Sequence, residues 1–303
     1  MATDTLALPR IEERSDGGGS TAHGLGRAAR FVRSYPLGAA SAGFILLVVL
    51  AAVFAPLIAP YDPLANAPRE RLQFPSRDHI LGTDNLGRDV FSRIVYGARN
   101  SLYVGFLATM IGTSLGTVVG LLSGYFAGTF DLVSQRVVDA IQIIPGLVLA
   151  LVIIAVWGPS ITNAIIAISM VVWPADSRVI RGVTLTIKQN LYVEGARVIG
   201  GDHLRILLRH IVPNVLAPII VLASLRFPGA ILTEASLSFL GLGTPPPAPS
   251  WGGMLSGAGR QYMEQVPTLA IFPGLAIALT VLAFNLFGDT LRDILDPRMR
   301  GTR

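Results

Sequence analysis

Residues 38–58 read GAASAGFILLVVLAAVFAPLI, a run of about twenty residues without a charge. At 1.5 Å of rise per residue, about 20 apolar residues cross a hydrocarbon layer about 30 Å thick. Inside that layer a backbone must satisfy its own polar groups, which leaves helices and closed barrels. Further apolar stretches fall at about 102–126, 137–157, 161–173, 215–242 and 267–287, so the chain is expected to be an all-α, polytopic membrane protein with six transmembrane helices. A content of 51% hydrophobic and 14% charged residues, with mean hydropathy +0.58, excludes an ordinary soluble domain.

Residues 1–33, with Gly17-Gly18-Gly19-Ser20 and mixed charge, read as a disordered cytoplasmic tail. Residues 34–100 are expected to hold the first span and an external loop broken by Pro60, Pro63, Pro68 and Pro75, with an interfacial portion at 90–98. Residues 101–290 would form a five-helix transmembrane domain with an internal polar loop at 181–212, and 291–303 a second cytoplasmic tail. On that topology sixteen Lys and Arg lie inside and seven outside, which places both termini in the cytoplasm. The net charge of +5 comes from basic residues at the ends of apolar runs rather than from a stripe with interleaved aromatics, so nucleic acid is not an expected partner and membrane lipid is.

Two features inside the apolar segments stand out. Gly112, Gly116, Gly120, Gly124 and Gly128 recur every four residues, a smooth helical stripe that admits another backbone at close range. Arg226 and Glu234 lie within the fifth span, where a lipid-facing charge would cost roughly 2.5–3.5 kcal/mol. They are expected to face a cavity, a partner helix or each other, as a structural pair or as part of a translocation path.

The polar interruption 194–213 reads EGARVIGGDHLRILLRHIVP. Asn190 and Asp202 are expected N-caps of two short helices with Gly200-Gly201 as the hinge, the second burying Leu204, Leu207, Leu208 and Ile211. Glu194-Gly195-Ala196, Gly200 and Pro213 resemble the EAA motif of binding-protein-dependent ABC importer permeases, with Gly195 where alanine is usual. Leu81-Gly82-Thr83-Asp84-Asn85-Leu86-Gly87-Arg88-Asp89, Glu234-Ala235-Ser236-Leu237-Ser238-Phe239-Leu240-Gly241 and Asn285-Leu286-Phe287-Gly288-Asp289 are similar to the C-type permeases of dipeptide, oligopeptide or nickel importers.

The resemblance implies a type I ABC importer permease fold in the bacterial plasma (inner) membrane. It implies a second, B-type permease subunit, two ABC ATPase subunits and an extracytoplasmic solute-binding protein as partners. The ATPase-coupling residues would be Glu194, Gly195, Ala196, Gly200, Asp202, Arg205, Arg209 and Pro213. ATP and magnesium would be used by the partner ATPase, with no cofactor on this chain and no catalytic residue. The single lysine, Lys188, is followed by Gln189, so a phosphate-binding Gly-Lys-Ser/Thr is absent from the sequence.

No cysteine offers a thiolate metal site or nucleophile, and His203 and His210 two turns apart do not make a metal site alone. An ion-coupled secondary transporter using Arg226 and Glu234 is the rival reading, and the absence of an evident inverted repeat weighs against it. Asp84, Arg88, Asp89 and Arg93 are expected to form a local ion network, and Trp251 an interface anchor or lid.

Overall fold

The computed structural model describes residues 32–295; residues 1–31 of the first expected tail and 296–303 of the second lie outside them, and 291–295 close the last helix. The helices are α1 (Pro36–Val53), α2 (Val90–Phe126), α3 (Gly128–Gln142), α4 (Gly146–Trp157), α5 (Ile161–Lys188), α6 (Leu191–Val198), α7 (His203–Ile206), α8 (Val212–Phe239), α9 (Trp251–Met254) and α10 (Thr268–Leu295). Among the described residues five rods are long and apolar enough to cross a membrane: α1, α2, α5, the continuous run from α7 through α8, and α10. A sixth crossing exists if α3 and α4, bent by 86° at their junction, count as one broken span.

The first span ends earlier than its apolar run. Pro56 lacks the N–H that would continue the ladder, so the chain bends at Phe54 and resumes as a single turn, Ala55–Ile58. Residues 90–98, expected to be an interfacial portion of the external loop, form the opening turns of α2, with Val90, Val95 and Ala98 buried. Asp89 starts this helix by accepting from Ser92 N at 2.7 Å. The preceding loop is held by a network around Asp84, which accepts from Arg88 Nε at 2.7 Å and lies 3.6 Å from Arg93 Nε. His79 sits between Asp89 (3.0 Å) and Glu70 (3.3 Å).

The centre of the molecule is the α2–α5 seam. Gly112, Gly116, Gly120 and Gly124 lie directly against Val172, Trp173, Ser177 and Thr184 of α5. A Cβ at Gly116 would stand 2.6 Å from the Trp173 carbonyl oxygen, and one at Gly120 2.5 Å from that of Ser177. Backbone meets backbone along this line, so no rotamer change makes room. Gly128 does not share the seam: it follows the break at Ala127, has φ +62° and meets nothing within 4 Å.

The seam also explains why α5 passes through Pro174 instead of ending there. Pro174 removes one ladder hydrogen bond, but packing against the glycine groove continues for more than two further turns on its C-terminal side. The polar loop therefore begins at Gln189 rather than at Arg181.

At the loop end of the seam, Asp131 of α3 receives a two-pronged contact from Arg181 of α5, Nε to Oδ1 at 2.5 Å and Nη2 to Oδ2 at 2.6 Å. Ser123 of α2 also donates to Asp131. Breaking a partly exposed pair of this kind costs less than a buried one, so Asp131→Asn is expected to destabilise the protein by about 1–2 kcal/mol. A lowered melting temperature of the purified protein checks this, and an unchanged one counts against it.

At the opposite end, Trp251 is a core residue rather than a lid. It is buried against Gly97 of α2, its Nε1 donates to Ile94 O at 3.0 Å, and Gly252 lies on the α8 backbone at Ala235.

Candidate functional site

The polar loop between α5 and α8 is built from a stop, a hinge and a buried hook. α6 ends in a paired closure: Gly201 N donates to Ala196 O at 3.0 Å and Gly200 N to Arg197 O at 3.1 Å. This closure needs a left-handed residue at position 200, and Gly200 has φ +81°. Asn190 and Asp202 occupy extended N-cap positions of α6 and α7, although neither side chain accepts a capping hydrogen bond.

Beyond the hinge, the expected row is met in part: Ile211 is buried and Leu207 packs against the same cluster, while the other two leucines turn outward. Ile206, Ile211 and Val215 are fully buried, whereas Leu204 and Leu208 are exposed. Five residues separate Ile206 from Ile211 because Leu207–Ile211 is a π turn, which carries one extra residue and rotates the face. Pro213 supplies the cause, since it cannot donate to the Arg209 carbonyl. Asn214 Nδ2 donates to His210 O at 2.7 Å beside it. Val193 of α6, fully buried, joins Ile206, Ile211, Leu121 and Ile180 in one cluster, so the loop is pinned to α2 and α5 from beneath.

A polar contact adds to the pinning. His203 Nδ1 meets the Tyr125 hydroxyl at 2.8 Å, and Lys188 Nζ donates to Tyr125 O at 2.5 Å. Tyr125 is the penultimate residue of α2, so these contacts tie the loop to the end of the glycine seam. Neither Tyr125 nor this contact is legible in the sequence, where His203 is weighed only as a metal ligand beside His210.

The outer face of α6 is the reverse of its anchored side. Leu191, Val198 and Ile199 are 85%, 86% and 86% exposed. Glu194, Arg197, Arg205 and Arg209 have no ion-pair partner among the described residues, and Gly195 has open space above it. Large apolar side chains next to unpaired charges on a short, rigidly held helix form a surface suited to a protein partner.

Arg226 and Glu234 do not pair with each other. Arg226 of α8 donates through Nε to Asp176 Oδ1 of α5 at 2.6 Å, and Thr113 of α2 donates to Asp176 Oδ2 at 2.7 Å. Asp176 is wholly buried, and its Cβ sits in the space that Gly116 leaves open. Asp176 is the member that sequence reading misses, because Pro174 suggests a helix end just before it. Glu234 accepts from Ser238 Oγ at 2.7 Å, and Ser238 Oγ in turn accepts from Thr244 N at 3.2 Å. That chain ties α8 to the proline-rich loop.

The bundle thus combines an internal ionic junction with an exposed, charge-flanked loop helix. Residues 116–301 match the family of binding-protein-dependent transport system inner membrane components. The chain belongs to that family. Residues 25–75 of this permease also match the N-terminal transmembrane domain of oligopeptide transport permease C.

The permease is 46% identical over 273 residues to the glutathione transport system permease protein GsiD of Escherichia coli O1:K1 / APEC, covering 90% of this chain and 89% of that one. It is 48% identical, with the same coverage, to GsiD of Shigella flexneri serotype 5b (strain 8401). In fold it is similar to the MetNI methionine ABC transporter in an inward-facing form, with TM-score 0.55 and 18% identity over 67% of this chain and 96% of that one. An amino acid ABC transporter solved with histidines gives TM-score 0.50 and 19% identity over 67% and 94%. The permease is thus a multi-pass subunit of an ABC importer with the type I permease fold, and the ATPase is a separate subunit.

Proposed function

We propose that this permease forms one half of the translocation pore of a peptide importer. It pairs with a homologous B-type subunit, stands on two ABC ATPase subunits that use ATP and magnesium, and receives peptide from an extracytoplasmic binding protein. The observation that carries the reading is the exposed, charge-flanked apolar face of α6, held rigidly by Val193 and the Tyr125–His203 contact. Similarity to a glutathione permease over nine-tenths of the chain supports a peptide as the solute.

In this reading Glu194, Gly195, Ala196 and Gly200 enter a groove on the ATPase. Asp202, Arg205, Arg209 and Pro213 belong to the segment that carries its movement into α8. The loop and both termini are cytoplasmic, and the membrane is the bacterial plasma membrane. Co-expression with the partner subunits is expected to yield a complex that co-purifies with ATPase; repeated recovery of permease alone would defeat the proposal. The cysteine-free sequence permits a second check. A cysteine at position 203 is expected to resist impermeant thiol reagents in intact cells, and labelling from outside would invert the topology.

A further inference from the structure

Arg226 is anchored without being used up. Its Nε bonds Asp176, which is itself held by Thr113, while both terminal nitrogens have no partner among the described residues. The side chain is 37% exposed. An arginine fixed at one edge presents its remaining N–H groups as a planar fork that matches a carboxylate.

The surroundings extend this site. Gly229, Thr233 and Ser236 follow at i+3, i+7 and i+10 on the same face of α8 and are at least partly open. Thr233 donates its proton to Gly229 O at 2.8 Å and Ser236 to Leu232 O at 2.8 Å, so both hydroxyls present lone pairs outward as acceptors. A half-exposed guanidinium and two acceptors do not form a lipid-facing surface at low cost. They suit a hydrated route along α8. Seven residues of helix separate Arg226 from Thr233 by about 10 Å, and an extended peptide of three residues spans about 10 Å.

We propose that Arg226 is a carboxylate-binding residue of the solute path, taking the C-terminal carboxylate of a short peptide whose amino end lies toward Thr233 and Ser236. The assignment rests on the peptide-importer reading and deepens it. Asp176 keeps the pair close to neutral, so the carboxylate is held weakly enough to leave, as conduction requires.

The test uses the complete importer in proteoliposomes, with its binding protein saturated by glutathione, by trialanine or by the C-terminal amide of either. The wild-type complex is expected to import the free acid at least about tenfold faster than the amide, the discrimination typical of one charge-assisted contact. The double variant Asp176→Asn/Arg226→Gln removes both charges and leaves no unpaired buried acid. It is expected to assemble and hydrolyse ATP while importing acid and amide at similar rates. Arg226→Lys, lacking the fork, should keep only part of the preference.

A double variant with the wild-type acid preference overturns the assignment. So does one that no longer binds the partner permease, because the fork then holds a neighbouring subunit's acid. If the wild-type complex imports neither peptide, the peptide reading falls and this assignment with it.

Discussion

Gly120→Val is expected to abolish recovery of folded permease. A Cβ there lies 2.5 Å from the Ser177 carbonyl oxygen, 2.9 Å from Ile180 Cβ and 3.0 Å from Arg181 N, so the obstacle is largely the backbone of α5. The helices must separate, and a gap of about 1 Å forfeits up to half of each contact's dispersion energy along the seam. Inserting a single methylene into a packed core costs about 1–3 kcal/mol, and valine adds more than one carbon at a point with no side chain to yield. Separation would also loosen the nearby contacts of Asp176 with Thr113 and Arg226.

The measurement is size-exclusion profile and melting temperature after mild solubilisation. Gly120→Val should lose its monodisperse peak, and Gly120→Ala should melt several degrees lower. Gly182→Ala, where nothing lies within 4 Å, should behave as wild type. A wild-type peak from Gly120→Val would show that the helices are not packed through this line.

That seam was legible because a single residue type repeating every four positions reports directly on one helix face, and small residues have few other reasons to recur there. The hinge at Gly200 was legible for a similar reason: a closure needing positive φ has few occupants. Other features depended on information that no local pattern contains. Pro174 normally ends a helix, and only the glycine groove on α2 explains why α5 continues and brings Asp176 inside. Leu204, Leu208 and Ile211 had the right spacing for an α-helical face, but across the π turn before Pro213 only Ile211 of these is buried, and Ile206 takes the place of the two leucines. Trp251 was expected to be an interface anchor or lid because it follows a proline run, and only the packing of its ring on Gly97 shows it to be core. Arg226 was expected to face a cavity, a partner helix or Glu234, and the partner it meets lies fifty residues away on a helix read as too short.

Gly195→Leu is expected to move stability and coupling in opposite directions. Position 195 lies inside α6, where glycine costs about 0.8–1 kcal/mol relative to a good helix former, and leucine is one. Position 195 is exposed and a Cβ there meets nothing within 4 Å, so isolated permease should melt at the wild-type temperature or slightly above. If α6 enters a groove that needs a small residue there, the same leucine blocks contact and ATPase association falls at least about tenfold, as for a residue at the centre of an interface. Solute uptake is lost with it.

Glu194→Lys separates the charge component from the steric one. Glu194 is exposed and unpaired, and its favourable placement near the start of α6 is worth only about 0.3–1 kcal/mol, so folding should barely change while coupling fails. Val193→Asp supplies the contrast: it buries a charge in the cluster that pins the loop and should lower the melting temperature as well as uptake. Parallel loss of stability and uptake in all three variants would mean that α6 acts only as part of the folded bundle. Stable permeases that no longer bind ATPase, from Gly195→Leu and Glu194→Lys alone, would mean that its outer face is the point where ATP-driven closure enters the membrane domain.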